Sequence, residues 1–271
     1  MADAVARIGA SDDVAFGAYL LPSGPMRDAL AGAAERGAHV SVTLQADPYR
    51  NPGGKRANRE AARLLAHAGA EVTLLPSDRA PFHLKAVVCD GVAFLDDRNW
   101  TAHGPEMVVA DDAPRDVTNV RDAVRGGRPR SDASLALRKD DALQRELELV
   151  EHAGDAPVVV ESERVRGSPL IAALRERALA GEPTTLVVGR GRHSRAERRT
   201  MRELAHDGVV VRAGGTNEKL ALAGDAVWIG SGNATGAAGR GARQTEWGLV
   251  TRDAALVGAV RAALARDVAA R

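Results

Sequence analysis

The chain has 271 residues, 45% of them hydrophobic, enough to bury a substantial core as one large domain or two small ones. Its 37 basic and 36 acidic residues leave a formal charge of +1, which excludes a whole-molecule field able to gather nucleic acid or anionic membrane unaided. Cys89 is the only cysteine, which excludes an internal disulfide and a cysteine-based zinc site.

Residues 1–13 carry acids where a secretory signal carries bases, and hold no apolar core of about 7 to 15 residues, so a cytoplasmic location is expected. No apolar run approaches the roughly 20 residues of a membrane span, so a lipid substrate would be met at a bilayer surface. Residues 14–20 (VAFGAYL) read as a strand, and residues 25–38 as a helix with Pro25 in its first turn. A strand over 40–46, a helix containing Ala61, Leu64 and Leu65 that stops near Gly69, and a strand over 71–76 follow.

The order then repeats: a strand over 157–162, a helix opening at Ser168, a strand over 184–190, a helix through Leu204 and a strand over 209–214. Strands alternating with helices of this length predict an α/β fold with helices on the sheet faces. The organisation expected is a first half over 1–130, a connecting helix within 131–155 and a second half over 156–271. Residues 111–131, rich in Arg and Gly, read as an exposed linker. In the connecting helix Leu143, Leu147 and Val150 share a face, Asp140 is the expected N-cap and Gly154 the stop, and the helix is expected to pack across the join.

Each copy ends in a polar motif. The first has His83, Lys85 and Asp90, with Asn99 sixteen positions after His83; the second has Asn217, Lys219, Asp225, Gly230, Ser231 and Asn233, with Asn233 sixteen positions after Asn217. Glu106 and Glu246 then open EMVVADD and EWGLVTRD. Side chains two apart on an extended segment project to one face, so His83 and Lys85 can meet one ligand. Lysines 85 and 219 supply charge for phosphate oxygens, Asn99, Asn217 and Asn233 amide donors, Ser231 a hydroxyl, and Gly230 and Gly232 close backbone approach. The His83 imidazole can attack phosphorus as a covalent nucleophile.

The arrangement resembles the phospholipase D superfamily, over about residues 14–253. The resemblance implies two fused, pseudo-twofold-related α/β halves with mixed sheets. It implies a metal-independent phosphodiesterase or phosphatidyl-type transferase that works through a phosphohistidine, needs no cofactor and prefers a phospholipid-type diester. By the same resemblance Glu106 would bind the far ring nitrogen of His83 and fix its tautomer, while Asp90 and Glu246 support the site.

The sequence departs from that pattern in three places. Asn217 stands where the second histidine, the proton donor, is expected; an amide cannot donate usefully, so a general acid worth about 10²–10⁴ in rate is missing. Asp96, Asp97 and Arg98 occupy the place of Gly-Ser before Asn99, and Asp225 falls one position late after Gly224. Four accounts are open: His103 or His193 donates the proton, the leaving group needs none, the protein binds phosphate silently, or two first halves meet in a homodimer. A nuclease reading rests on Arg190, Arg192, Arg195, Arg198 and Arg199, which also read as a solvated helix start, so nucleic acid is not the favoured partner; an aromatic content of 3% argues the same way. His39, His67, His152 and His206 have no matching partners, Trp100, Trp228 and Trp247 are expected in the core, and Cys89 is expected to pack.

Overall fold

The computed structural model describes residues 1–49, 51–76, 81–100, 107–132, 134–236 and 243–269. In chain order the first half holds α1 (Ala2–Ala10), β1 (Asp13–Ala18), α2 (Pro25–Glu35), β2 (His39–Gln45), α3 (Pro52–His67), β3 (Glu71–Leu75), β4 (Lys85–Cys89), β5 (Val92–Asp96), β6 (Val108–Asp111) and α4 (Pro114–Val124). After β7 (Leu135–Ala136) and α5 (Lys139–Glu151) come β8 (Val158–Ser162), α6 (Pro169–Leu179), β9 (Thr184–Gly189), α7 (Arg195–His206), β10 (Val210–Gly215), β11 (Leu220–Ala223), β12 (Ala226–Gly230), β13 (Gly248–Thr251) and α8 (Ala254–Ala269). No helix among the described residues is long and apolar enough to cross a membrane.

The two sheets have the same plan. One runs β3-β2-β1-β4-β5-β6; the other runs β10-β9-β8-β11-β12-β13, with β7 added at its edge. In each, three parallel strands joined through helices meet an antiparallel meander at the central pairs β1–β4 and β8–β11. The expected mixed α/β fold in two halves is therefore what the chain adopts.

Period-two alternation divides the core into three layers. Val14, Phe16, Val87 and Cys89 face outward beneath α1 to α3, while their neighbours Ala15, Ala86 and Val88 face the second half. There they meet Leu220, Val227, Ile229 and Trp247, together with apolar side chains of α4 and α8. Val158, Val160, Ala221 and Trp228 face the other way, under α5 to α7. All three tryptophans are buried, as is Cys89.

Three expectations fail. The stretch 111–131 is not a linker throughout: Pro114 opens α4, which buries Val117, Val120, Ala123 and Val124 at helical spacing between the halves, and its Arg121 pairs with Asp13. Asp140 is not the N-cap of α5; the cap is Arg138, and Asp140 lies in the first turn, paired with that arginine. Nor does α5 span the join. It packs on the outer face of the second sheet beside α6, burying Ala142 and Val150, and the Trp228 Nε1–H donates to the Ala142 carbonyl at 3.0 Å.

The inner faces differ in one respect. Where the first half has Gly17 on β1, the second has Glu161 on β8, buried with Glu218 and with Asp267 of α8. Thr216 bridges them, donating to Asp267 at 2.7 Å from its hydroxyl and at 3.2 Å from its N–H. Burial, then Asp267, pushes the Glu161 carboxyl up to about 9. Folded protein therefore keeps a proton that the unfolded chain releases near its ordinary value of 4.5, so stability falls as pH rises from about 4.5 to about 9. Thermal denaturation should show Tm higher at pH 5 than at pH 9, with a smaller difference in Glu161→Gln; an unchanged difference would remove Glu161 as its source.

Candidate active site

At one end of both sheets, the segments preceding β4 and β11 lie beside a cavity of about 260 Å³ lined by His83, Lys85, Asp97, Arg98, Asn99, Glu163, Asn217, Lys219 and Asn233. None of these side chains is apolar. His83 and Lys85 share a face because they are two apart on extended backbone, and Asn217 and Lys219 repeat the arrangement from the other half. The two motifs thus converge on one volume.

A backbone bridge sets the register between the halves. Phe82 pairs with Thr245, the His83 N–H donates to the Thr245 carbonyl at 3.0 Å, and the Thr245 N–H donates to the Pro81 carbonyl at 3.1 Å. The residues following this bridge are His83 and Glu246, whose Nδ1 and Oε1 lie 2.8 Å apart. The carboxylate on the imidazole thus comes from the second half. Glu106, which the resemblance assigned to that place, lies outside the described residues, as does His103. Glu246, expected only to support, makes the contact itself.

Lys85 Nζ lies 2.7 Å from His83 Nδ1 and 3.2 Å from Nε2, and donates to the His83 carbonyl at 2.8 Å. Burial first, then the Lys85 charge, lowers the imidazole to about 4, against the pull of Glu246. His83 is therefore neutral at pH 7, and with Nδ1–H given to the carboxylate, Nε2 keeps its lone pair. Burial lowers the Lys85 ammonium to about 7, with Glu246 opposing and Lys219 adding to the fall. Glu246 would be raised by burial, but the His83 hydrogen bond and the charges of His83, Lys139 and Lys85 hold it below its ordinary range.

Asn99 and Asn217 each have an amide Oδ1 that meets no donor among the described residues. Amide oxygen and nitrogen are interchangeable by a flip, so either group can turn its NH₂ to a phosphate oxygen. Asn217 holds a left-handed backbone, φ +73°. Its Oδ1 comes so near the β9 terminus that a Cβ at Gly189 would lie 1.9 Å away, so any other residue there would push the amide aside. Asn233 spends its Oδ1 on the Arg164 N–H (3.2 Å) and the Ser162 hydroxyl (3.4 Å). Lys219 Nζ donates to the Asn217 carbonyl at 3.0 Å and lies 3.9 Å from Glu163.

Several residues of the two motifs stand away from the cavity. Ser231 is fully buried, with its Oγ accepting the Trp247 N–H at 3.1 Å, and does not line the cavity. Gly230 makes room for Trp228 and the Trp247 carbonyl rather than for a ligand. Asp90 is an exposed residue at φ +42° in the turn from β4 to β5, followed by Gly91 at +90°; its carboxylate accepts the Asp13 N–H at 3.4 Å. In the second copy the pair is Gly224-Asp225, so the late aspartate is an exchange within a two-residue hairpin turn, where glycine takes the positive φ. The site loses nothing by it.

Sequence reading missed Tyr19, just past β1, whose ring lies 4.6 Å from that of His83 at 55°. Its hydroxyl accepts the Tyr49 N–H at 2.6 Å, and burial raises its pKa. The signal was present in the strand VAFGAYL, whose last polar ring falls at the end where β4 begins. His193 lines a second cavity with Tyr49, Arg164, Arg166 and Arg192; Asn233 lines both. Among the described residues, one acidic trio, Glu161, Glu218 and Asp267, brings carboxylate oxygens within 4.8 Å of one another as a metal would require, but none of the three lines the first cavity.

No protein-family model matches the sequence, and no curated protein matches it. Among solved structures, the chain is similar over 98% of its length to polyphosphate kinase from Porphyromonas gingivalis, with 14% identity and TM-score 0.68; it spans about half of that protein, 48%. Nuc from Salmonella typhimurium, a phospholipase D family member, matches 46% of this chain and 84% of its own at 19% identity and TM-score 0.39. NucT from Helicobacter pylori matches 50% and 94% at 17% identity and TM-score 0.42.

Proposed function

We propose, from the premise that this chain has the duplicated fold of the phospholipase D superfamily, that it is a phosphoryl-transfer enzyme whose nucleophile is His83. The observation that carries the reading is the neutral imidazole held through Nδ1 by a carboxylate of the other half, beside Lys85, on a cavity that Lys219 shares. Nε2 attacks phosphorus and the phosphoryl group passes to His83, with positive charge on the ring balanced by Glu246. Lys85, Lys219, Asn99 and Asn217 hold the non-bridging oxygens as charge develops on them. Water or an alcohol then takes the group from His83, which makes the protein a phosphodiesterase or a phosphatidyl-type transferase without need of a metal.

The finer reading of a phospholipid-type diester rests on resemblance, with the headgroup phosphate in the cavity and the rest of the lipid outside it. A specific observation favours a second one. The cavity lined by Arg164, Arg166 and Arg192 shares Asn233 with the first, and a linear polyanion, such as the polyphosphate in the name of the structural neighbour that matches 98% of this chain, would run from one to the other. Turnover falling steeply with salt would favour the polyanion.

The test is to incubate the protein with bis-p-nitrophenyl phosphate and excess chelator, quench in alkali, and map the phosphoryl group by mass spectrometry. An alkali-stable, acid-labile adduct on the peptide containing His83 is expected. Phosphate or vanadate binding with neither adduct nor turnover would make this a silent phosphate-binding protein.

A further inference from the structure

The proton donor that Asn217 cannot supply has a candidate within the cavity wall. Asp97 lines the cavity together with His83 and Asn217 and is otherwise buried. It follows β5, in the place where the motif of the other copy has Ser231. Its Oδ1 accepts the Met107 N–H at 3.2 Å, while Oδ2 meets no partner among the described residues. A buried carboxylate oxygen without a donor is costly as an anion but acceptable as a hydroxyl in search of an acceptor.

Resting on the phosphohistidine reading above, we propose that Asp97 is the general acid of this site, giving its Oδ2 proton to the leaving oxygen. Burial raises the Asp97 carboxyl to about 8; Lys219 and the Met107 N–H oppose the rise, while Asp96 and Glu218 add to it. It is thus largely protonated at neutral pH. The step balances. The Nε2 lone pair of His83 forms the N–P bond as the P–O bond breaks, and its electron pair leaves on oxygen, which takes the Asp97 proton and departs as an alcohol. Asp97, now a carboxylate, takes a proton from the attacking water as the P–N bond breaks, and the pair returns to Nε2. Both residues end as they began.

The two departures of the sequence then explain each other. The copy that lacks a histidine at Asn217 faces one that has gained an acid at Asp97, and the two side chains share one cavity. The same volume keeps one nucleophile and one donor, redistributed between its walls.

The experiment uses enzyme in excess and follows leaving-group release in a single turnover, before the water step the two esters share, comparing methyl p-nitrophenyl phosphate with methyl phenyl phosphate, whose more basic leaving oxygen needs a proton. Wild-type protein should treat the two within about tenfold of each other. Asp97→Asn should lose about 10²–10⁴ on the phenyl ester and less than about tenfold on the nitrophenyl ester. The amide keeps the acceptor for Met107, and retained nitrophenyl activity reports a folded site. Equal loss on both esters, or a steep preference for the nitrophenyl ester already in wild type, would overturn the assignment while leaving His83 in place. So would the selective loss appearing in His103→Ala or His193→Ala and not in Asp97→Asn. Wild type inactive on both esters would overturn the phosphohistidine reading and this assignment with it.

Discussion

Replacing His83 with alanine is expected to lower kcat/KM for bis-p-nitrophenyl phosphate by a factor on the order of 10⁴ or more. Lys85, Lys219 and the amides hold and polarise the phosphate in this reading, with Lys85 acting as the ammonium, so what remains without His83 is attack by water on a bound diester. The nitrophenolate leaving group scarcely needs an acid, so this substrate isolates the nucleophile from the proton donor. The imidazole is partly exposed, but its partners Lys85 and Glu246 are buried, so a melting curve of the variant accompanies the assay. Phosphate affinity should change much less than turnover. A variant that retained more than about a hundredth of the activity, with an unchanged melting curve, would place the nucleophile elsewhere.

Glu246→Gln is expected to cost about 10²–10⁴ in kcat, and Glu106→Gln less than about tenfold. Glu246 is a positioning residue that acts through the imidazole. Its carboxylate selects the tautomer with Nε2 free and neutralises the ring once that nitrogen carries phosphorus; a neutral amide does neither well. Its loss also touches Lys85, whose charge Glu246 supports. Turnover requires His83 unprotonated and Lys85 protonated, so wild-type activity should rise through about pH 4 and decline through about pH 7. Without Glu246 the affinity of Lys85 for its proton drops, and the declining limb should move to lower pH. A uniform drop with an unmoved limb would indicate a packing defect. A loss confined to Glu106→Gln would return that residue to the role the resemblance gave it.

The duplication could be read in the sequence because each copy carries its own strand-helix periodicities, and β1 to β3 and β8 to β10 lie where apolar alternation and turn residues set them. The helices α1, α4 and α8 escaped notice for different reasons. The first lay in a segment weighed only as a signal peptide. In α4 the Val117, Val120 and Val124 stripe was masked by the Arg-Gly run after it, and α8 follows the end of the recognised motif. His83, Lys85, Asn217 and Lys219 were legible because a spacing of two at the start of β4 and just ahead of β11 repeats in both copies. The partner of His83 was not, since pairing across halves is set by tertiary register and either glutamate satisfies a linear pattern. Ser231 misled for a related reason: the motif names a residue type, and burial against Trp247 decides what that hydroxyl does.

The bridge between Phe82 and Thr245 carries a consequence for how such a chain can change over time. With His83 as the proposed nucleophile, it and the carboxylate that steadies it belong to different copies, so neither copy is a spare. An alteration that shifts the segment leading to Glu246 is felt at once in the other copy, and deleting either would leave half a reagent. The duplicated gene is in this sense a single inheritance, free to drift at Asn217 where its partner can compensate, and tied together wherever the seam passes through the chemistry.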